Sequence, residues 1–233
     1  MMKDVIIALD FQTGEQTLEF LEKFGHLRPY VKIGMELFYA EGPGFVRTVK
    51  NRGHKIFLDL KLHDIPNTVK GGMKSLSSLG VDMTNLHASG GSIMMKQALE
   101  GLTREDGTRP VLIAVTQLTS TSEQLMRDEL LISESLENTV ISYAKNAKSS
   151  GLDGIVCSPL EGGKVKKACG DNFITVTPGI RFPDSKADDQ SRITTPERAR
   201  ELGSDYIVVG RPITAADDPK AAYERCVREF LGE

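Results

Sequence analysis

The sequence predicts an α/β chain closed into a (β/α)8 barrel, with residues 1–233 forming a single domain. Short apolar runs alternate with helical patterns along the whole length, which implies a parallel sheet with right-handed crossovers. Eight such units can be counted, and no strand-rich block or linker separates them. An open doubly wound sheet is the competing architecture. No Gly-x-Gly-x-x-Gly follows the first apolar run to support it.

Taken in order, Val5 to Leu9 is a continuous apolar run ending on Asp10, as expected of a strand covered on both faces. Thr13-Gly14-Glu15-Gln16 has capping-box spacing ahead of Leu18, Phe20, Leu21 and Phe24, and Gly25 closes that helix. Val31 to Met35 forms a second strand interrupted by Lys32, and a helix from about Gly44 to Asn51 follows. The third strand is the apolar segment His54 to Leu58 with Asp59 and Lys61 at its polar end, and Pro66 suits the first turn of the next helix, which ends at Gly80. Met83 to Ser89 is strand four, with Gly90-Gly91-Ser92 opening a helix through Ile93, Met94 and Leu99. Pro110 to Thr116 is strand five, and a long polar connection from Gln117 to about Ser133 precedes a helix through Val140, Ile141 and Ala144. Gly154 to Cys157, Phe173 to Val176 and Tyr206 to Val209 complete the strands. A short helix surrounds Val165, Gly179 to Arg192 is a second long polar connection, and Pro196 and Pro219 open the last two helices. Both long connections follow strands, which places them on the C-terminal face of a barrel, where functional loops gather.

Composition narrows the function classes. A net charge of −3 gives no broad basic surface, so nucleic acid is not the expected partner. The three cysteines, Cys157, Cys169 and Cys226, are scattered and odd in number. That argues against a disulfide framework or a zinc site and fits a cytoplasmic protein. The apolar run near the N-terminus is too short for a signal peptide or a membrane span.

The chemistry concentrates in Asp59 to Thr68, DLKLHDIPNT, where a strand becomes a helix. Strand alternation puts Asp59 and Lys61 on one face, with His63 and Asp64 just beyond. The other polar residues at strand C-termini are Asp10, Lys32, His87, Thr116 with Thr119, Ser158, Thr177 and Arg211. Lys32, Asp59 and Lys61 on adjacent strands are costly inside a barrel unless they pair. Such a pairing could be a site or a purely stabilising ion network. Gly179-Ile180-Arg181 and Gly210-Arg211 follow strands seven and eight, where barrels often bind phosphate. Guanidinium forks suit phosphate oxygens, although solvated arginines beside turn glycines would read the same way. Cys157 reads as buried core, and no His/Asp/Glu spacing suggests a metal.

The run Asp59-Leu-Lys61-Leu-His-Asp64-Ile-Pro-Asn-Thr68 resembles the active-site signature of the orotidine 5′-phosphate decarboxylase family. The resemblance covers essentially the whole chain. It includes Asp10, the Val-Lys32-Ile-Gly segment, Leu118-Thr119-Ser120, Arg181 and Gln190 in the loop after strand seven, and Gly210-Arg211. It implies a TIM barrel that converts orotidine 5′-monophosphate to uridine 5′-monophosphate and CO₂, with no cofactor and no metal. By the same resemblance Lys61, Asp59, Asp64 and Lys32 are catalytic. Substrate is bound by Asp10, Lys32, Asp59, Asp64, Thr68, Thr119, Arg181, Gln190, Gly210 and Arg211. A homodimer is implied in which Asp64 and Thr68 enter the neighbouring subunit's site. The shorter pattern Asp-x-Lys-x-x-Asp is shared with Mg²⁺-dependent sugar-phosphate decarboxylases and aldolases of the same superfamily. A nucleotide-binding barrel without catalysis is the alternative of another class.

Overall fold

The computed structural model describes residues 3–183 and 194–233. Its strands are β1 (Asp4–Ala8), β2 (Tyr30–Gly34), β3 (Ile56–Leu62), β4 (Met83–His87), β5 (Val111–Val115), β6 (Gly154–Val156), β7 (Ile174–Thr177) and β8 (Tyr206–Val209). They pair in parallel in sequence order, and β8 closes onto β1. Between and after them run α1 (Gly14–Glu22), α2 (Met35–Asn51), α3 (Pro66–Ser77), α4 (Gly91–Leu102), α5 (Glu123–Asp128), α6 (Leu136–Ser149), α7 (Pro159–Cys169), α8 (Pro196–Glu201), α9 (Arg211–Thr214) and α10 (Pro219–Leu231). The (β/α)8 expectation holds. Among the described residues no helix is long and apolar enough to cross a membrane.

Local chemistry explains most helix starts. Thr13 caps α1 by accepting from the Gln16 amide, and Ser158 with Glu161 forms a reciprocal capping box on α7. Pro66, Pro196 and Pro219 each open a helix, where the missing N–H costs no bond. Apart from shifts of one or two residues at other strand ends, three elements differ from the sequence reading. Strand three starts at Ile56 rather than His54 and, running through Asp59 and Lys61 as expected, ends at Leu62. The helix expected from Gly44 begins at Met35 and leaves helical geometry at Gly42, just before Pro43. The first long connection is not wholly irregular, because Ser122 caps α5 within it.

Period-two alternation divides the apolar side chains between two layers. Val5, Ile7 and Leu9 face the helices, while Ile6, Ala8, Tyr30, Phe57, Met83, Ile113, Ile174, Val176 and Val208 fill the barrel interior. The interior is thus packed shut below the C-terminal mouth.

The opposite, N-terminal face carries a repeated device. Gly80-Val81-Asp82, Gly151-Leu152-Asp153 and Gly203-Ser204-Asp205 precede or open the approach to β4, β6 and β8, each glycine at positive φ where the chain turns out of its helix. Each aspartate accepts an amide near the start of the preceding strand: Asp82 from Ile56, Asp153 from Leu112 and Asp205 from Thr175, all at 2.8 Å. Each is neutralised by a cation, respectively Lys50, Arg109 and Lys166. These clamps tie neighbouring strands at the end away from the site.

The Lys166–Asp205 pair is the most enclosed, with side chains 13% and 10% exposed, against 33% for both partners of Lys50–Asp82. Asp205→Ala is therefore expected to lower the unfolding free energy by about 3 kcal/mol, because it strands a nearly buried cation. Asp82→Ala is expected to cost only about 1 kcal/mol, its pair being better solvated. Urea unfolding midpoints of the two variants check this order.

Candidate active site

One step above the apolar interior, alternation brings three polar side chains inward. Lys32 lies two residues beyond Tyr30, Asp59 two beyond Phe57, and Asn85 two beyond Met83. The register sets Lys32 beside Phe57 and Gly34 beside Asp59, so the three occupy adjacent strands at the mouth. Asp59 is only 8% exposed. Its Oδ1 accepts from Lys61 Nζ at 2.6 Å and from Asn85 Nδ2 at 2.7 Å, and its Oδ2 faces Lys32 Nζ at 3.5 Å. Lys32 Nζ also donates to Asp10 Oδ1 at 3.1 Å. Asp10, Lys32, Asp59 and Lys61 therefore form a chain of alternating charge, as the residue types required.

Burial by itself would push the Asp59 carboxyl upward. Lys32, then Lys61, and the hydrogen bonds from Lys61 and Asn85 override it and hold the group below its ordinary value of 3.8. Asp59 is thus an anion at neutral pH, and its electrostatic support of the lysines is lost only as pH falls below the ordinary carboxylate range.

Lys61 takes φ +52°, the left-handed region, which costs a residue with a Cβ roughly 1–3 kcal/mol. The cause is a register shift. The β3–β4 ladder passes from Leu58–Thr84 directly to Leu62–Leu86, so Asp59 to Lys61 bulge away from the β4 main chain. The Lys61 amide instead donates to Asn85 Oδ1 at 2.8 Å.

Two connected hollows open on this face. A cavity of about 240 Å³ is lined by Lys32, Asp59, Lys61 and Asn85 on one side and by Thr119, Val156, Cys157 and Val208 among others on the opposite side. A second of about 420 Å³ is lined by Asp10, Lys32, Gly179, Arg181, Gly210 and Arg211 among others. Lys32, Pro178 and Val208 belong to both walls. The site is thus a partly apolar lobe floored by the charged chain, joined to a cationic lobe at the ends of β7 and β8. Gly210 precedes α9, and the neck of the β7–α8 connection is fastened by an Ile180–Thr194 bridge.

Of the residues singled out from sequence, Asp10, Lys32, Asp59, Lys61, Thr119, Arg181, Gly210 and Arg211 converge on these lobes. Asp64 and Thr68 are exposed and line neither, and the Asp64 carboxylate accepts from the Ile65 amide at 2.6 Å. Gln190 lies outside the described residues. His63 does not stand alone: its ring packs against His87 with centroids 5.8 Å apart. Desolvation, then the charges of His63 and Lys61, lower the His87 pKa. Cys157 is buried as expected, but it also forms part of the apolar wall. Thr116, Thr177 and Ser158 are taken up by structure, bonding to Val156 O, to Ser204 Oγ and to the start of α7. Among the described residues no group of three or more His, Cys, Asp or Glu is arranged to hold a metal ion.

Sequence reasoning missed Asn85. Listing only the last polar residue of strand four selects His87, whereas counting back by two from it reaches the fully buried asparagine.

The chain as a whole is similar to known proteins. Residues 3–226 match the model of the orotidine 5′-phosphate decarboxylase / HUMPS family. The orotidine 5′-phosphate decarboxylase of Bacillus cytotoxicus is 57% identical, over 100% of this chain and 99% of that protein. That of a Geobacillus species is 54% identical over 98% and 97%. The crystal structure of orotidine 5′-phosphate decarboxylase from Lactobacillus acidophilus superposes with a TM-score of 0.87 at 48% identity, covering 98% of this chain and 99% of that one. With a family model spanning nearly its whole length and relatives above half identity, this chain belongs to the orotidine 5′-phosphate decarboxylase / HUMPS family.

Proposed function

We propose that this chain decarboxylates orotidine 5′-monophosphate to uridine 5′-monophosphate and CO₂, the last step of pyrimidine nucleotide synthesis. The carrying observation is the Asp10–Lys32–Asp59–Lys61 chain at the junction of an apolar lobe and a cationic one. The nucleotide divides in the same way, into a flat base and a distant phosphate. A Mg²⁺-dependent sugar-phosphate lyase fits less well, since both Asp59 oxygens already face ammonium or amide donors.

In the reaction the bond from C6 to the carboxylate carbon breaks, its electron pair stays on C6, and CO₂ leaves. Lys61 then delivers a proton to that carbon. The pair on C6 has little resonance help, so a fixed positive charge beside it is the main requirement. An ammonium about 4 Å from the developing charge is worth about 4 kcal/mol at an effective dielectric near 20. Asp59, itself paired with Lys32, orients the Lys61 side chain before substrate arrives, so little reorganisation accompanies the step.

Binding energy comes from the far end of the substrate. Arg181, Arg211 and the Gly210 amide grip the phosphate, and Gln190 belongs to the same group by family resemblance. Asp10 and Lys32 hold the ribose hydroxyls, and Thr119 reads the pyrimidine edge. Asp64 and Thr68 serve the site of a second copy. The exposed Ile65 and Ile93, 68% and 69% accessible, suit that contact. The three cysteines are buried and free, in keeping with a reducing cytoplasm.

Lys61→Ala is expected to lower turnover by more than about 10⁴-fold while uridine 5′-monophosphate still binds, measured by orotidylate absorbance and by calorimetry. Near-normal turnover would remove the proton-donor role. Arg211→Ala should raise KM by roughly 10–100-fold, matching the loss of charge-assisted bonds of about 1.5–3 kcal/mol. Unchanged kinetics would dismiss the phosphate assignment. Mixing inactive Lys61→Ala and Asp64→Ala chains should restore about a quarter of wild-type activity, because half of randomly formed dimers then hold one intact site. If the mixture stays inactive, Asp64 acts within its own subunit, and an Asp64→Ala chain active by itself would show that it has no part in the reaction.

A further inference from the structure

Asn85 is fully buried on β4, whose ladder with β5 is unbroken through Asn85–Ile113. It therefore sits on regularly paired backbone beside a stretch of β3 that has left the β4 ladder. Between Leu58 and Leu62 the β3 chain leaves the β4 ladder, and Lys61 adopts a left-handed conformation that its side chain disfavours. The Asn85 carboxamide spans the gap. Its oxygen accepts the Lys61 amide at 2.8 Å, and its nitrogen donates to Asp59 Oδ1 at 2.7 Å, the same oxygen that accepts from Lys61 Nζ. One side chain thus refers both ends of Lys61 to β4, the backbone directly and the ammonium through Asp59. A carboxamide supplies an acceptor and a donor on separate atoms without adding charge. A carboxylate would crowd Asp59 with a second anion, and an aliphatic residue would leave a buried amide and carboxylate underbonded.

We propose that Asn85 is a positioning residue for the reaction, holding Lys61 in its left-handed backbone conformation and aiming its ammonium into the base lobe. The proposal rests on Lys61 as the proton donor. Removing the brace lets the bulge relax while the phosphate lobe, which Asn85 does not line, is left as it was. A misplacement of about 1 Å at the reacting group can cost about 100-fold in rate.

The test compares wild type, Lys61→Ala, Asn85→Ala and Asn85→Asp for kcat, KM, uridine 5′-monophosphate binding and hydrogen exchange of the Lys61 amide. Asn85→Ala is expected to lose about 100-fold in kcat with KM and product binding within about threefold of wild type, and its Lys61 amide should exchange faster. Asn85→Asp keeps an oxygen for that amide and should retain slow exchange, while its second anion beside Asp59 lowers kcat below wild type. A kcat for Asn85→Ala within about threefold of wild type, with Lys61→Ala inactive, overturns the positioning role alone. So does a kcat loss matched by loss of product binding, the mark of general unfolding. Near-normal turnover of Lys61→Ala overturns the donor assignment and this proposal together. If Asn85→Ala does not fold, Asn85→Asp decides: a lower kcat with intact product binding supports the role, and a wild-type kcat refutes it.

Discussion

The structure depends on one buried carboxylate. Asp59 sits where a barrel of this kind would ordinarily carry a branched apolar side chain, and leaving an anion there unpaired would cost several kcal/mol. Two lysines and an asparagine compensate it, and each is drawn from a different place: Lys32 from β2, Lys61 from two residues along β3, Asn85 from β4. The network is enclosed enough to be strong and open enough, through Lys61, to face a ligand. Its cost in burial, charge and backbone strain is concentrated at the barrel mouth, where function tolerates what a core would not.

Stability is supplied at the other end. The Asp82, Asp153 and Asp205 clamps join strand starts on the N-terminal face, and the interior between the two ends is closed by Phe57, Met83, Ile113 and their neighbours. Charged groups thus do different work at the two faces. At the bottom, each aspartate binds a main-chain amide and one cation. At the top, Asp59 is shared among donors that also line an open lobe.

How legible this was differs from element to element. The strands could be read because each is a short apolar run bounded by turn residues, and Tyr206 to Val209 agrees to the residue. Asp59 and Lys61 read as the polar end of strand three, and the strand does run through them to Leu62. α5 was missed because a short capped helix in a polar stretch has too few apolar positions to show a period. Among site residues, Lys32, Asp59 and Lys61 were visible as charges interrupting strands. Asn85 was not, since a neutral side chain inside MTNLH carries no charge signal and only its inward register reveals it.

The sequence by itself determined the number and order of the βα units, the inward alternation that makes Asp59 and Lys61 neighbours, and the placement of the Arg181 and Arg211 loops on one face. These follow from local periodicity, which needs no knowledge of distant contacts. Only the tertiary structure decided that strands three and four slip past one another between Leu58 and Leu62. That slip forces Lys61 into a left-handed backbone and hands its amide to Asn85. Register between strands is set by the packing of whole faces against one another, so no stretch of DLKLHDIPNT contains it.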